Sequence, residues 1–223
     1  MADITPIAYI ETPFDEKFGV PRQSGIADCI GRVVFTPAFR DVDAVRGLEG
    51  FSHVWLVWQF HQALRTGWSP TVRPPRLGGN QRLGVFATRS PFRPNGLGLS
   101  AVKLERIALD EPEAPVLYVR GADMVSGTPI FDVKPYLPYA DAIPDAKGGF
   151  AAAPAGEKLA VDCPAELLEQ FPQDLRPSLL SALAADPRPQ YQSDPERVYG
   201  MKFGGRDVRF CVVGERVRVI EVE

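Results

Sequence analysis

The first 140 residues hold seven short stretches with strand-like apolar patterning and very little helix between them, which limits the fold more than any other feature. The stretches are Ile4–Ile10, Gly25–Phe35, Ser52–Gln62, Leu83–Thr88, Leu99–Leu109, Val116–Ala122 and Ile130–Pro135, each alternating with period two or running continuously apolar. Only Asp41–Leu48 (DVDAVRGL) reads as helical, with Asp41 as its N-cap. Without helical crossovers the strands cannot form a βαβ array. The expectation is a mostly antiparallel sheet, curled into a barrel or stacked as a sandwich.

Beyond this region the patterning stops. Ala142–Lys158 (AIPDAKGGFAAAPAGEK) is rich in Ala, Gly and Pro and reads as a linker. Helical stretches at Ala165–Phe171 and Ser178–Ala185 follow, then DPRPQYQSDPER, then strands at Arg197–Phe203, Val208–Val213 and Val217–Val222. The Gly204-Gly205 and Gly214-Glu215 pairs suit hairpin turns. The expected division is a β domain over residues 1–145, a linker over 146–158 and a small α+β domain over 159–223.

A chain of 223 residues buries about 70–75% of its unfolded surface and needs neither metal nor disulfide to fold. Its three cysteines, Cys29, Cys163 and Cys211, are far apart and lack metal-type spacing, as expected of reduced thiols in the cytoplasm. No apolar run reaches the roughly 18 residues of a membrane span, and MADITPIAYIETP lacks the basic and apolar regions of a signal peptide. The net charge of −3 conceals an asymmetry. Between Glu49 and Glu105 there is no acidic residue, while Arg65, Arg73, Arg76, Arg82, Arg89, Arg93 and Lys103 are basic. Such a local excess suits an anionic partner on one face, or arginines that cap loops and pair with distant acids.

Several chemistries are excluded. His53 and His61 lie in one strand-like stretch, about 26 Å apart at roughly 3.3 Å per residue, so they cannot share an ion, and no metal site is expected. GxSxG and Walker A sequences are absent. Gly96-x-Gly98-x-x-Ala101 matches a lax dinucleotide fingerprint, but LSAVKLERIAL after it alternates like a strand and opens no helix.

What remains is a set of glycine- and proline-bearing loops at strand ends: VPRQSGI (20–26), His61-Gln62, TVRPPRLGGNQR (71–82), ATRSPFRPNGLGLS (87–100), RGADMVSGTP (120–129) and FDVKPY (131–136). Proline stiffens such loops, and glycine lets a ligand approach the backbone. Arginines on them offer forked donors to phosphate or carboxylate.

These segments, with VRGLEGFSHVWLVWQFHQ and GADMVSGTPIFDVKPYLPYADAIPD, resemble the TsaA-like family of tRNA methyltransferases, closely over the first 145 residues or so and more loosely at DPRPQY. The resemblance implies a single-sheeted antiparallel β-barrel with a small C-terminal domain, working as a homodimer. It also implies S-adenosyl-L-methionine as cofactor. The implied substrate is a threonine tRNA, N6-methylated at threonylcarbamoyladenosine 37 beside the anticodon. The family's cofactor contacts fall on Ser24, Gly25, Ile26, His61, Gln62, Arg89, Leu99, Arg120, Gly121, Ala122 and Asp123. Asp123 and Asp132 are candidates for taking a proton from the reacting nitrogen. Arg73, Arg76, Arg82 and Arg93 are candidates for anticodon-loop phosphates. Phe92 is a candidate for base stacking, whereas Trp55 and Trp58 belong to the core. The alternatives are a non-catalytic RNA-binding barrel and a small-molecule methyltransferase of the same fold.

Overall fold

The computed structural model describes residues 4–64, 67–153, 157–189, 192 and 194–223. Arg65, residues 154–156 of the linker, and Gln190, Tyr191 and Ser193 of DPRPQYQSDPER lie outside the described residues. The N-terminal strands are β1 (Ala8–Glu11), β2 (Ile30–Phe35), β3 (His53–Gln59), β4 (Thr71–Val72), β5 (Leu83–Gly84), β6 (Leu97–Ala108), β7 (Val116–Arg120) and β8 (Thr128–Pro135). Six of them close into a barrel in the order β1-β2-β7-β6-β3-β8. Every pairing in it is antiparallel. Closure removes the exposed sheet edges that an open antiparallel sheet would present.

Alternation decides which residues fill the barrel. On β3, Val54, Leu56 and Trp58 are buried, while His53, Trp55 and Val57 face outward. Trp55 is therefore not a core residue: it is half-buried outside the barrel, and its indole N–H donates to Asp141 Oδ2 at 2.9 Å. Trp58 does lie in the core, with Ile10, Val33, Val102 and Leu117.

Three further sequence expectations change. Leu83–Thr88 supplies no barrel strand: Leu83 and Gly84 pair with Val72 and Thr71 in a separate two-stranded ladder, and Val85–Ala87 tighten into a 3-10 turn. The strand expected from Gly25 begins only at Ile30, because Gly25 turns the chain at φ +75°. Asp41 does cap, accepting from the Asp43 N–H at 2.9 Å, but the helix is a single 3-10 turn over Val42–Val45 that Gly47 at φ +83° prevents from extending.

The C-terminal sheet comprises β9 (Ala160–Asp162), β10 (Tyr199–Phe203), β11 (Arg206–Val213) and β12 (Arg216–Val222), in the order β10-β11-β12-β9. The pairing of β9 with β12 is parallel. Short helices α1 (Pro138–Asp141) and α2 (Ala165–Leu168) precede α3 (Arg176–Ala184), whose Leu179 and Leu183 pack into the sheet's core. That core also takes Phe14, Ala27 and Cys29 from the connection between β1 and β2. Phe14 meets Phe203 edge-on at 5.5 Å, and the Gly204 N–H donates to Pro13 O at 2.7 Å. Residues 12–29 thus belong by sequence to the barrel and by packing to both units.

Candidate functional site

The connection from β1 to β2 meets the connection from β7 to β8 at one end of the barrel. The Gly25 N–H donates to Gly121 O at 2.9 Å, and the Gly121 N–H donates to Cys29 O at 2.8 Å. Gly121 has φ +85°, and a Cβ there would lie 3.0 Å from Gly25 N, so the approach requires glycine. One residue before Gly25, the Ser24 backbone N–H donates to the Asp123 carboxylate.

Asp123 is the centre of this cluster. Ser100 Oγ donates to Asp123 Oδ1 at 2.6 Å and receives the Trp58 indole N–H at 3.0 Å. Burial raises the Asp123 carboxyl above the usual carboxylate range, opposed by its hydrogen bonds to Ser100 and to backbone, and by the charge of Arg89. Arg89 is exposed, and its guanidinium donates to Gln23 Oε1. Ser24, Gly25, Arg89, Gly121 and Asp123, distant in sequence, are brought together here.

His61 and Gln62 occupy the 3-10 turn that ends β3. His61 Nδ1 lies 3.3 Å from Thr128 Oγ1, at the start of β8. Burial, with the positive charge of Lys17, lowers the imidazole below its usual value and so favours its neutral form. Lys17 Nζ donates to Gln62 O, which ties this turn to the same β1–β2 connection that carries Ser24–Ile26.

A shallow depression of about 360 Å³ lies on the outer side of this junction, lined by Gly25, Ile26, Arg120 and Gly121 together with Lys103 and Lys158. The Arg120 guanidinium is held by Glu105 at 2.8 Å and Asp28 at 3.1 Å. Its charge is therefore committed to ion pairs. Ala122 is fully buried in the barrel core. Leu99 stands 57% exposed on the outward row of β6, beside the inward Ser100.

Asp132 is separated from Asp123: it faces outward in register with Val57 and pairs with Lys134 at 2.7 Å. Among the arginines, Arg73 and Arg82 are exposed on the excursion between β3 and β6. Arg82 donates to Thr71 Oγ1 at 3.3 Å, and Arg76 to Ala153 O. Arg93 folds back onto Thr88 O at 3.1 Å. Phe92 is exposed on the same excursion.

Sequence reasoning marked the loops that hold Gln23, Thr128 and Ser100 but gave these residues no role, and Lys17 lies outside the marked loops.

The donor set suits S-adenosyl-L-methionine. A desolvated carboxylate under backbone and hydroxyl donors can accept from an ammonium or ribose hydroxyls. An exposed guanidinium nearby matches a carboxylate. Gly25 is exposed and carries no side chain to obstruct a ligand, and Leu99 offers an apolar surface. Among the described residues, no group of three or more His, Cys, Asp or Glu is placed to hold a metal ion.

Two family models match the chain: tRNA-methyltransferase O N-terminal domain over residues 9–142, and TrmO C-terminal domain over residues 157–223. The tRNA (adenine(37)-N6)-methyltransferase of Escherichia coli K12 is 41% identical over 227 residues, covering 97% of this chain and 96% of that protein. A Pseudomonas aeruginosa protein named for S-adenosylmethionine-dependent methyl transfer, RcsF, is 44% identical over 229 residues, covering 98% and 96%. The crystal structure of TrmO from Pseudomonas aeruginosa superposes with a TM-score of 0.81 at 37% identity, covering 100% of this chain and 98% of that one.

Proposed function

With the chain belonging to the tRNA-methyltransferase O family, we propose that it methylates N6 of adenosine 37 in a tRNA, using S-adenosyl-L-methionine. Relatives named for that reaction and for that cofactor support this reading over nearly the full chain. The observation that carries it is the Asp123 cluster, where five of the residues expected from the sequence, Ser24, Gly25, Arg89, Gly121 and Asp123, lie together around the paired glycines.

Bound there, S-adenosyl-L-methionine supplies a methyl group activated by a positively charged sulfur. The chain's own work is to position, to exclude water and to take a proton. Ser24–Ile26 and Arg120–Asp123 form the wall of the cofactor site, with the Arg120 side chain already paired and Ala122 buried behind Asp123. Arg89 meets a carboxylate, either the cofactor's or that of a threonylcarbamoyl group on the target base. Such a group turns N6 into a ureido nitrogen, whose proton must leave as the N–C bond forms. Asp123 is the carboxylate suited to accept it, because burial makes it more basic than an ordinary carboxylate. Asp132, paired with Lys134 on the barrel's outer face, is not so placed.

The reading includes binding of the anticodon loop by Arg73, Arg76, Arg82 and Arg93, a cytoplasmic location and a homodimer. Exposed Tyr139 and Ile143 at α1 offer an apolar surface for a second copy. No helix among the described residues is long and apolar enough to cross a membrane.

The test is nucleoside mass spectrometry on tRNA from a strain lacking the endogenous activity, incubated with the protein and methyl-labelled cofactor. Label in N6-methylated threonylcarbamoyladenosine is the expected result. Label elsewhere, or none despite cofactor binding, overturns the assignment.

A further inference from the structure

The excursion between β3 and β6 carries an exposed aromatic pair that the reaction site does not use. Trp68 is 52% exposed and Phe86 is 71% exposed. Their rings lie 5.9 Å apart at 29°, a stacked arrangement. They sit at the base of the β4–β5 ladder, Trp68 shortly before β4 and Phe86 shortly after β5. The ladder is stiffened locally: the Val85 N–H donates to Pro70 O at 2.9 Å, and Ser69 Oγ donates to Thr71 O at 2.8 Å.

Large rings held open to water on a braced arm lose the stabilisation that burial would give them. Their surroundings indicate what covers them. The arm's tip carries Arg73 and Arg82, both exposed, and its base runs into Arg89, three residues after Phe86. That places the two Cα atoms within roughly 11 Å, even for a fully extended chain. No acidic residue occurs between Glu49 and Glu105. An apolar protein partner would require no such charge bias, whereas single-stranded nucleic acid meets both features, with phosphates on arginine and bases on aromatic faces.

We propose that Trp68 and Phe86 form a stacking platform for an unpaired base of the tRNA loop, next to the site at Arg89, with Arg73 and Arg82 on the flanking phosphates. The platform anchors the loop while the target adenosine enters the site. This rests on the tRNA reading above and adds to it the residues that grip the loop.

The test uses the full chain and a fluorescently labelled 12-nucleotide single-stranded RNA, alongside intact tRNA. Trp68→Ala and Phe86→Ala should each weaken RNA binding by roughly tenfold while leaving its salt dependence unchanged, because stacking releases no counterions. Arg73→Ala and Arg82→Ala should instead lower the salt slope by about one each. Trp68→Phe should keep most of the affinity but remove the RNA-induced quenching of tryptophan fluorescence. Binding of S-adenosyl-L-methionine should be unchanged in all five variants.

RNA affinity within twofold of wild type in both alanine variants, with wild-type methyl transfer intact, overturns the platform and leaves the enzymatic reading standing. A change in oligomeric state in Trp68→Ala, measured by light scattering, also overturns it and assigns the pair to a second copy. Wild-type protein that binds no RNA overturns both readings together.

Discussion

Ser100 Oγ donates to Asp123 Oδ1 at 2.6 Å and joins an inward-facing barrel residue to the loop beyond β7. The same oxygen accepts from the Trp58 indole at 3.0 Å, so the carboxylate is aimed by a chain of two hydrogen bonds rooted in the core. A neutral donor chain of this kind orients a carboxylate without neutralising it. The raised basicity of Asp123 then follows from burial, which its hydrogen bonds only partly offset.

Asp123→Asn separates the cost of that buried charge from its use. Methyl transfer at saturating cofactor should fall by about a hundredfold or more if the carboxylate accepts a proton. Stability should move the other way. A carboxyl whose folded pKa is raised favours folding below its unfolded value, and that contribution is lost as pH rises through the folded pKa. Wild type therefore loses stability through that window, and the asparagine variant does not. The melting-temperature advantage of Asp123→Asn should grow from pH 4 to pH 7; a difference that is flat with pH would contradict a desolvated carboxylate.

Arg89→Ala should weaken cofactor or substrate binding by about tenfold, the scale of one charge-assisted hydrogen bond. Its side chain is exposed and meets Gln23, so the melting temperature should change by less than about 2 °C. Calorimetric titration and a thermal melt on the same sample test this. A large fall in melting temperature would make Arg89 structural.

Gly98→Ala should be costly for a reason unrelated to a phosphate fingerprint. A Cβ at Gly98 would overlap the Trp58 indole, which packs flat on the glycine and points its N–H at Ser100. Overpacking of this kind costs about 1–3 kcal/mol. It should also disturb Asp123 through Ser100, so chemical denaturation and cofactor affinity should deteriorate together. Normal affinity in a destabilised variant would separate the indole from the site.

Ser181→Ala tests whether the C-terminal unit supports the cofactor loop. Ser181 on α3 accepts the Asp28 N–H at 2.8 Å, and Ser178 Oγ donates to Asp28 O at 3.2 Å. Loss of the Ser181 acceptor should cost about 1 kcal/mol and raise the dissociation constant of S-adenosyl-L-methionine several-fold, although Ser181 lies on a helix that packs against the other sheet. Unchanged affinity would reduce the contact to simple docking.

The sequence by itself determined a great deal. Period-two patterning and scarce helix required an antiparallel sheet, and glycine, proline and arginine at strand ends marked the loops that converge. The acid-free run from residue 50 to 104 concentrated seven basic residues in one stretch of the chain. The tertiary structure decided which marked residues share a site and which side chains remain available. Asp123 and Asp132 are equivalent as letters, yet one is buried under Ser24 and Ser100 and the other is paired with Lys134 in the open. Arg120 and Arg89 also look alike, but Glu105 and Asp28 hold the first, while the second stays exposed. Phe14 and Cys29, read as part of the barrel, pack into the other unit. Alternation is a local property that fixes which face of a strand is buried. The neighbour across that face is set by barrel closure and by the docking of the second core, which are long-range packing choices that no short window of sequence encodes.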